Sequence, residues 1–331
     1  MLWNSGYEVV FYANYVDAVT WVDGERLELL SGSVNNTGDG LRQSASLSAT
    51  DYERYTERLI RVYADAVQEQ NVAHVPLFTG FATSPQNSYD GATETQSIDC
   101  YSVLKPAEDV LLPRGWYAGA GNAIDSLIKD LMSVTPAPIV IVGEAPKLAK
   151  NIVAENNESR LTMVDKILKA VSWRLNISGN GSIILRPVAT APAALFDNEF
   201  DVVEPDITKE YDWFSAPNVF RAVIDNVSAT ARDDDPSSPL STESRGREVW
   251  QEEEGVALAE NQTLAEYAEK RLKELQAVGE TITYSRRFLP EVYVGDIVTL
   301  DYNDLKGNYR ITSQKLELSY NLRTSEECVA V

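Results

Sequence analysis

The sequence predicts an α+β protein that is mainly β, with two small β-barrels separated by an α/β insert. Three observations support this fold class. Short segments that alternate apolar and polar residues fill roughly the first hundred positions and return in the last third of the chain. Two segments with apolar residues at helical spacing lie between them. One further helical segment, at about 263–278, precedes the last strands. We therefore expect a first β-barrel at 1–110, an insert with two helices and a hairpin at 111–192, and a second β-barrel at 193–331, whose strands can also complete the first.

The first part contains predicted strands at a spacing of about ten residues, which is typical of small barrels or sandwiches. A polar turn at 35–40 joins the second strand to the third, so these two are expected to pair. Pro76 favours an edge or a strand start for the fifth, because proline donates no ladder hydrogen bond. The predicted strands are 7–12, 27–34, 41–49, 59–67, 75–83 and 95–104.

The insert begins after a predicted linker that is rich in proline and glycine, from Pro106 to Gly121. Apolar residues at helical spacing predict a helix at 122–132. Ser159 is a plausible N-cap for a second helix at 161–172, because a serine side chain can accept a hydrogen bond from the first turn. A short apolar strand at 139–142 lies between them. Strands at 173–177 and 182–186 are predicted to form a hairpin around 179–181.

The last part is predicted to begin with one long strand at 218–230. Residues 233–241 are rich in aspartate, serine and proline and cannot bury a core, so we expect an extended, mobile loop. A strand at 248–251 follows. Thr263 and Glu266 form the pattern of a capping box, and Gly279 is expected to end the helix.

The C-terminal strands are predicted at 281–288 and, as three strands, within 288–318. Pro290 opens this stretch, and turns are expected at Gly295–Asp296 and Asn303–Asp304, because these residues suit tight turns. We expect the three strands to pair with 218–230 or with 281–288.

The composition excludes several classes of function. The chain has 331 residues, with 50 acidic and 29 basic side chains and a formal charge of −21. Sequence-specific nucleic-acid binding needs a basic surface, and anionic membranes attract basic segments, so neither is expected. No signal-peptide pattern and no apolar run of about 18 residues is present. We therefore predict a soluble protein that is made in a cytoplasm and does not bind membranes.

No catalytic, cofactor-binding or metal-binding residue is predicted. His74 is the only histidine, the two cysteines are far apart, and no Gly-x-Ser-x-Gly motif is present. Gly119–Gly121 is interpreted as a linker rather than a phosphate-binding loop. The adjacent acids Asp233–Asp235 lack the alternating pattern of a calcium loop. A carboxylate pair for glycoside hydrolysis stays open, because an acidic chain of this size holds many acids and no pair stands out.

The order of these elements resembles that of the baseplate hub family of bacteriophage tails, of the siphophage minor tail protein type. Local patterns agree over most of the chain: the segment 77–81 (LFTGF), the loop before the helix, and Pro-x-x-x-x-Gly-Asp-x-Val at 290–298. The loop is a candidate flexible interface, with the residues Asp233, Asp234, Asp235, Pro236, Ser238, Pro239, Gly246 and Arg247.

The resemblance implies a non-enzymatic structural hub without a cofactor, located at the tail tip of a virion. It implies a homotrimer whose two barrels per chain make a ring of near six-fold symmetry, which joins the tail tube to the tip and lets DNA pass. The implied partners are the distal tail protein, the C-terminus of the tape-measure protein, and tip, spike or fibre proteins. The surplus of acidic side chains would keep DNA from adhering to the ring. Alternatively, it serves only to keep the protein soluble.

Two other functions stay open. One is a tail-associated cell-wall hydrolase that uses an acidic pair. The other is a receptor- or carbohydrate-binding tail protein, since six tryptophans and 16 tyrosines could stack on sugars. Because these aromatic residues are scattered over predicted strands and helices, we expect core packing to be their main use.

Overall fold

The computed structural model describes residues 6–52, 57–91, 93–197, 206–211, 213–224, 226–256, 258, 262–277, 280–302, 305–319 and 322–331. The protein is mainly β, as predicted. The helices are α1 (Lys105–Asp109), α2 (Ile124–Leu131), α3 (Arg160–Ala170), α4 (Thr242–Arg245) and α5 (Leu264–Ala277). The strands are β1 (Glu8–Val16), β2 (Asp23–Thr37), β3 (Gln43–Ala49), β4 (Arg58–Gln68), β5 (Asn71–Ala82), β6 (Gln86–Asp90), β7 (Thr93–Ser102), β8 (Tyr117–Ala118), β9 (Ile139–Ile141), β10 (Ile152–Val153), β11 (Trp173–Ile177), β12 (Ile183–Pro187), β13 (Pro192–Asp197), β14 (Thr208–Tyr211), β15 (Val219–Ile224), β16 (Val227–Arg232), β17 (Trp250–Glu254), β18 (Glu280–Arg287), β19 (Ile297–Tyr302), β20 (Leu305–Leu318) and β21 (Arg323–Ala330).

The first part of the chain forms a closed ring of paired strands in the order β1-β4-β5-β7-β3-β2, and β2 pairs again with β1. The predicted strands of this part and the predicted pairing of β2 with β3 are confirmed. Alternate residues of β4, such as Ile60, Val62 and Ala64, point into the ring and are fully buried. One short strand, β6, is additional and pairs with the outer part of β7.

The last strands pair in the order β13-β19-β20-β21-β18-β14, an open row over the described residues. Phe196, Ile282, Tyr284, Val298 and Ile311 belong to its separate apolar core. A closed second barrel therefore stays a prediction.

Strands β2 and β20 join the two groups of strands into one continuous sheet. They pair antiparallel from Gly32 opposite Leu318 to Thr37 opposite Ser313. Leu316 and Leu318, at the end of β20, pack in the core of the first ring. The C-terminal part of the chain thus supplies side chains to the core of the N-terminal part.

The insert has the two predicted helices and the predicted hairpin. The Ser159 side chain accepts a hydrogen bond from the Thr162 amide at 3.1 Å, which confirms the predicted cap. Strands β11 and β12 pair antiparallel, and β9 adds in parallel to β12. The helix α1, in the predicted linker, was not expected. Pro106 is compatible with it because the first helical turn needs no intrahelical N–H donor.

The predicted long strand at 218–230 is wrong. The structure has a hairpin there, with β15 and β16 paired antiparallel around a turn at Asn226. Asparagine favours turns because its side chain can bond to the nearby backbone. β17 adds in parallel to β15, and α5 packs on this small separate sheet through an apolar core that includes Phe220, Ala268 and Leu272.

The prediction of three strands within 288–318 is wrong in its first part. Residues 288–296 form turns, in which the Asp296 carboxylate accepts a hydrogen bond from the Tyr293 amide at 2.9 Å and Gly295 has a φ of 85°. Pro290 cannot donate to a ladder. β19 and β20 follow as predicted, and β21, which was not predicted, ends the chain.

The predicted pairing of these strands is also wrong. β20 pairs with β19, β21 and β2, and it reaches β18 only through β21. The hairpin of β15 and β16 lies in another sheet. The predicted turn at 303–304 and the predicted helix end at Gly279 lie outside the described residues.

The predicted capping box of α5 is confirmed. The Glu266 carboxylate accepts from the Thr263 amide at 2.8 Å, and the Thr263 hydroxyl accepts from the Glu266 amide at 3.2 Å. Within the described part of the chain, no helix is long and apolar enough to cross a membrane.

Candidate interface site

The candidate interface loop, residues 233–247, connects β16 to β17 and is folded back on itself rather than extended. The Asp233 amide donates to the Asn218 carbonyl at 2.9 Å, and the Thr242 amide donates to the Asp233 carbonyl at 2.9 Å. The Ser241 amide closes a turn with the Ser238 carbonyl at 3.2 Å. The expectation of an extended loop is wrong because these short polar side chains and turns satisfy the backbone locally.

The three adjacent acids of the loop have different partners. Asp233 accepts hydrogen bonds from the Ser238 hydroxyl at 2.6 Å and from the Gln276 amide at 2.9 Å, which ties the loop to α5. Asp234 contacts Arg232 and the Thr242 hydroxyl. In the described part of the chain, no group of three or more His, Cys, Asp or Glu side chains could hold a metal ion.

Asp235 stabilises the first turn of the loop. Its carboxylate accepts from the Ser237 hydroxyl at 2.7 Å and from the Ser237 amide at 2.8 Å. These hydrogen bonds to the ionised form lower the pKa of the Asp235 carboxyl. The pKa shift therefore reflects turn chemistry.

The second half of the loop contains the short helix α4. The Ser241 hydroxyl caps it by accepting from the Ser244 amide at 3.1 Å, and Gly246 ends it in the left-handed conformation with a φ of 63°. The Ser244 hydroxyl donates to the Pro236 carbonyl at 3.4 Å, and Pro239 is exposed. Internal hydrogen bonds and a capped helical turn thus hold the second half of the loop in a folded form.

Two arginines at the end of the loop hold an exposed aromatic residue. Arg245 and Arg247 donate to the Phe214 carbonyl at 2.7 and 2.8 Å, and the Arg247 guanidinium lies 4.3 Å from the centroid of the Phe214 ring. The Phe214 side chain is 78% exposed. Of the predicted loop residues, Arg247 is the one in direct contact with this aromatic surface.

The aromatic residues beside the loop were missed by the sequence reasoning, which expected core packing for tryptophan and tyrosine. Trp213 and Trp250 are each 46% exposed, and Tyr211 lies 6.1 Å from Trp213 between ring centroids. The signal that could have found them is the run of three aromatic residues within 211–214. We call Tyr211, Trp213 and Phe214 the aromatic patch.

The buried acids of the described residues form interior ion pairs. Glu326 contacts Arg286, Asp296 contacts Arg174 and lies 3.3 Å from Arg186, and Glu158 lies 3.0 Å from Lys166. The exposed histidine, His74, has Nδ1 2.8 Å from the Asp65 carboxylate.

Comparison by sequence finds neither a matching family model nor a matching curated protein. Comparison by structure finds similar chains. A tail protein from Neisseria meningitidis is 12% identical, with a TM-score of 0.70 over 98% of this chain and 97% of the other. A 43 kDa prophage tail protein from Shewanella oneidensis is 13% identical, with a TM-score of 0.68 over 98% and 97%.

A third similar structure is a type VI secretion system component from E. coli, described as structurally similar to two tail proteins of bacteriophage T4. It is 7% identical, with a TM-score of 0.52 over 92% of this chain and 74% of the other. These identities are low, but the similarity covers nearly the whole length of the Neisseria and Shewanella tail proteins. The chain therefore has the fold of bacteriophage tail proteins, and its resemblance to the baseplate hub family is confirmed at the level of the fold.

Proposed function

We propose that this chain is a structural hub at the tip of a bacteriophage tail, without catalytic activity. The observation that carries this proposal is the near full-length structural similarity to tail proteins, with a TM-score of 0.70 over 98% of the chain. A similarity of this extent includes both groups of strands and the insert. The protein belongs, in this proposal, to the virion and is assembled in the host cytoplasm.

The proposed assembly is a homotrimer with two β-barrels in each chain. The first ring of strands is closed, and we propose that the last group of strands acts as the second barrel. Three such chains present six similar units around one axis, so one ring can contact a six-fold tube on one side and a three-fold tip on the other. The shared sheet at β2 and β20 supports this, since it fixes the two groups relative to each other.

The candidate interface loop and the aromatic patch form the proposed contact surface for other tail proteins. Aromatic residues and arginine are enriched where interfaces gain most of their binding energy. The partners in this proposal are the distal tail protein, the C-terminus of the tape-measure protein, and tip, spike or fibre proteins. The hydrogen bonds within the loop reduce the ordering cost of such a contact.

The charge of −21 supports passage of DNA without binding. A ring that carries many carboxylates repels phosphates and therefore does not retain a strand that moves through it. We expect no retardation of duplex DNA by the purified protein at low salt, where electrostatic attraction would be strongest.

Native mass spectrometry of the purified chain tests the assembly. We expect a species with three times the chain mass of 36.7 kDa. Antibody labelling of assembled tails should place the chain at the tip. A chain that stays monomeric at all concentrations and is missing from purified tails would contradict the proposal.

A second candidate function is carbohydrate binding, which the exposed rings of the aromatic patch favour because aromatic faces stack on sugars. The variant Trp213→Ala distinguishes carbohydrate binding from the hub function. Loss of binding to host-wall oligosaccharides with intact incorporation into tails would support the carbohydrate function. Loss of incorporation into tails would support the hub function.

A further inference from the structure

A cavity of about 350 Å³ lies where the three parts of the molecule meet. Gln43 of the first ring lines it on one side, and Thr324 of the last strands lines it on another. Gly179 of the insert hairpin and the turn segment 288–294 complete the wall. The volume is far above the roughly 15 Å³ that one water molecule requires, so the cavity has room for several small polar groups.

A row of polar side chains crosses the sheet beside this cavity. Gln43 lies opposite Asn36, Asn36 opposite Gln314, Gln314 opposite Glu326, and Glu326 opposite Tyr284. Residues directly opposite each other point to the same face of a sheet. The row therefore places polar groups on one face across β3, β2, β20, β21 and β18.

Part of this row is hydrogen-bonded within the protein. The Gln314 amide donates to Glu326 at 2.6 Å and to the Val292 carbonyl at 3.1 Å. The Tyr284 hydroxyl donates to Glu326 at 2.5 Å, and Arg286 also contacts Glu326. The charge of Arg286 is thus balanced inside the protein.

Four other polar atoms of cavity-lining residues have no hydrogen-bond partner among the described residues: Arg42 Nε, Gln43 Oε1, Arg286 Nε and Thr324 Oγ1. The Arg42 guanidinium is already paired with Asp165. The other three residues are 5%, 1% and 3% exposed. Arg286 and Thr324 lie directly opposite each other on β18 and β21. A buried polar group without a partner costs free energy, so these last three atoms at one cavity indicate that something in the cavity binds them.

We propose that the cavity binds a neutral hydroxyl-bearing ligand, either a cluster of ordered water molecules or a small polyol such as glycerol. A hydroxyl group both donates and accepts. It can donate to Gln43 Oε1, accept from Arg286 Nε, and do either with Thr324 Oγ1. An anionic ligand is disfavoured for two reasons. Glu326 already balances the charge of Arg286, and a carboxylate in the cavity would place an acceptor oxygen against the Gln43 oxygen, which is also an acceptor. The ligand bridges the first ring to the last strands.

The first test is the sign of a stability change in Thr324→Val, which keeps the shape of the side chain and removes the hydroxyl. If a ligand hydroxyl satisfies Thr324 Oγ1, the variant loses that bond and unfolds at a lower denaturant concentration than the wild type. If the hydroxyl is truly unpartnered, its removal raises the midpoint and the proposal is overturned. Thr283→Val, at an exposed position on β18, is the matched control for the added methyl group.

The second test is a crystal structure from polyol-free solution, followed by a soak in glycerol. Density within hydrogen-bond distance of all three atoms supports the proposal. If water density persists in the soaked crystal, the ligand is water, and if glycerol replaces it, the ligand is a polyol. A cavity without ordered density in both crystals overturns the proposal, even where Thr324→Val fails to fold.

Discussion

Asn218 shows how one side chain can hold the candidate interface loop in a folded form. It is fully buried and lies immediately before β15. Its amide donates to the Leu240 carbonyl at 3.1 Å and to the Arg247 carbonyl at 3.0 Å, and its oxygen accepts from the Val249 amide at 2.7 Å. The middle of the loop and its C-terminal end are thereby bound to the same side chain.

We expect Asn218→Ala to destabilise the protein by about 2–4 kcal/mol, because it leaves buried backbone groups without partners. Denaturant unfolding measures this change. Ser228→Ala, an exposed position on the neighbouring strand β16, is the control and should have little effect. Equal stability of the Asn218 variant and the control would show that the loop does not depend on this side chain.

Tyr309 gives a prediction of pH dependence at the residue scale. Burial, together with the hydrogen bond of its hydroxyl to the Glu280 carboxylate at 2.9 Å, raises the pKa of Tyr309 from 10.0 to about 12. The folded state thus holds the phenol proton more tightly than the unfolded state. The stabilisation is fully present below pH 10.0 and is lost as the pH rises toward about 12.

The stability difference between the wild type and Tyr309→Phe should therefore shrink over this pH range. Urea unfolding at a series of pH values measures it, and the subtraction removes the contribution of the other tyrosines. A stability difference between the two proteins that stays constant up to the folded-state pKa would contradict the raised pKa of Tyr309.

The residue-scale features of the site were only partly predictable from the sequence. Ser159, Thr263 and Glu266 form hydrogen bonds with residues three positions away in the chain, so the local sequence patterns predicted their capping roles. Arg247 was predicted as part of the loop, but its contact with Phe214 spans 33 residues. No local pattern encodes such a contact.

At the scale of elements, the hairpin of β11 and β12 shows how the insert docks on the first ring. The Gly179 carbonyl accepts from the Thr79 hydroxyl at 2.8 Å, and the Asn180 carbonyl accepts from the Trp21 indole at 3.1 Å. A Cβ atom on Gly179 would lie 1.8 Å from the Pro76 carbonyl oxygen. Only glycine allows this approach of the two backbones.

We expect Gly179→Ala to displace the hairpin from the first ring and to destabilise the protein by about 1–3 kcal/mol, the usual cost of overpacking. Thermal unfolding and limited proteolysis of the insert measure the effect. Gly6→Ala is the control, because a Cβ at Gly6 meets nothing within 4 Å. Unchanged protease resistance together with unchanged stability would contradict this account of the docking.

Elements with a strong local pattern were predicted well, and those defined by pairing were not. The apolar face of α2 and the N-caps of α3 and α5 depend only on residues within one or two helical turns of each other. By contrast, 218–230 has the composition of one strand but forms two, and 288–296, predicted as the first of three strands, forms turns. Pairing partners decide between these outcomes, and they lie far away in the chain.

At the scale of the whole molecule, the Arg286–Glu326 pair connects β18 to β21 in the interior. Both side chains are almost fully buried. A buried charge without its partner is strongly destabilising, because the remaining group has lost its water and gained nothing.

We expect Glu326→Leu to destabilise the protein by about 3–5 kcal/mol, whereas Arg286→Met combined with Glu326→Leu should cost less than this single change. Chemical denaturation of the variants measures both values, and native mass spectrometry reports whether the proposed trimer persists. A double variant that is less stable than Glu326→Leu alone would show that the pair contributes more than charge compensation.

By itself, the sequence determined the mainly β class, the strands of the first ring, the helices and hairpin of the insert, and the capped helix α5. These follow from periodicity and turn chemistry, which act over a few residues. Only the tertiary structure decided that β2 and β20 join both groups of strands, that 218–277 contains a separate small sheet, and that an aromatic patch flanks the loop. Each of these depends on contacts between distant parts of the chain, and such contacts are set by the packing of the whole core.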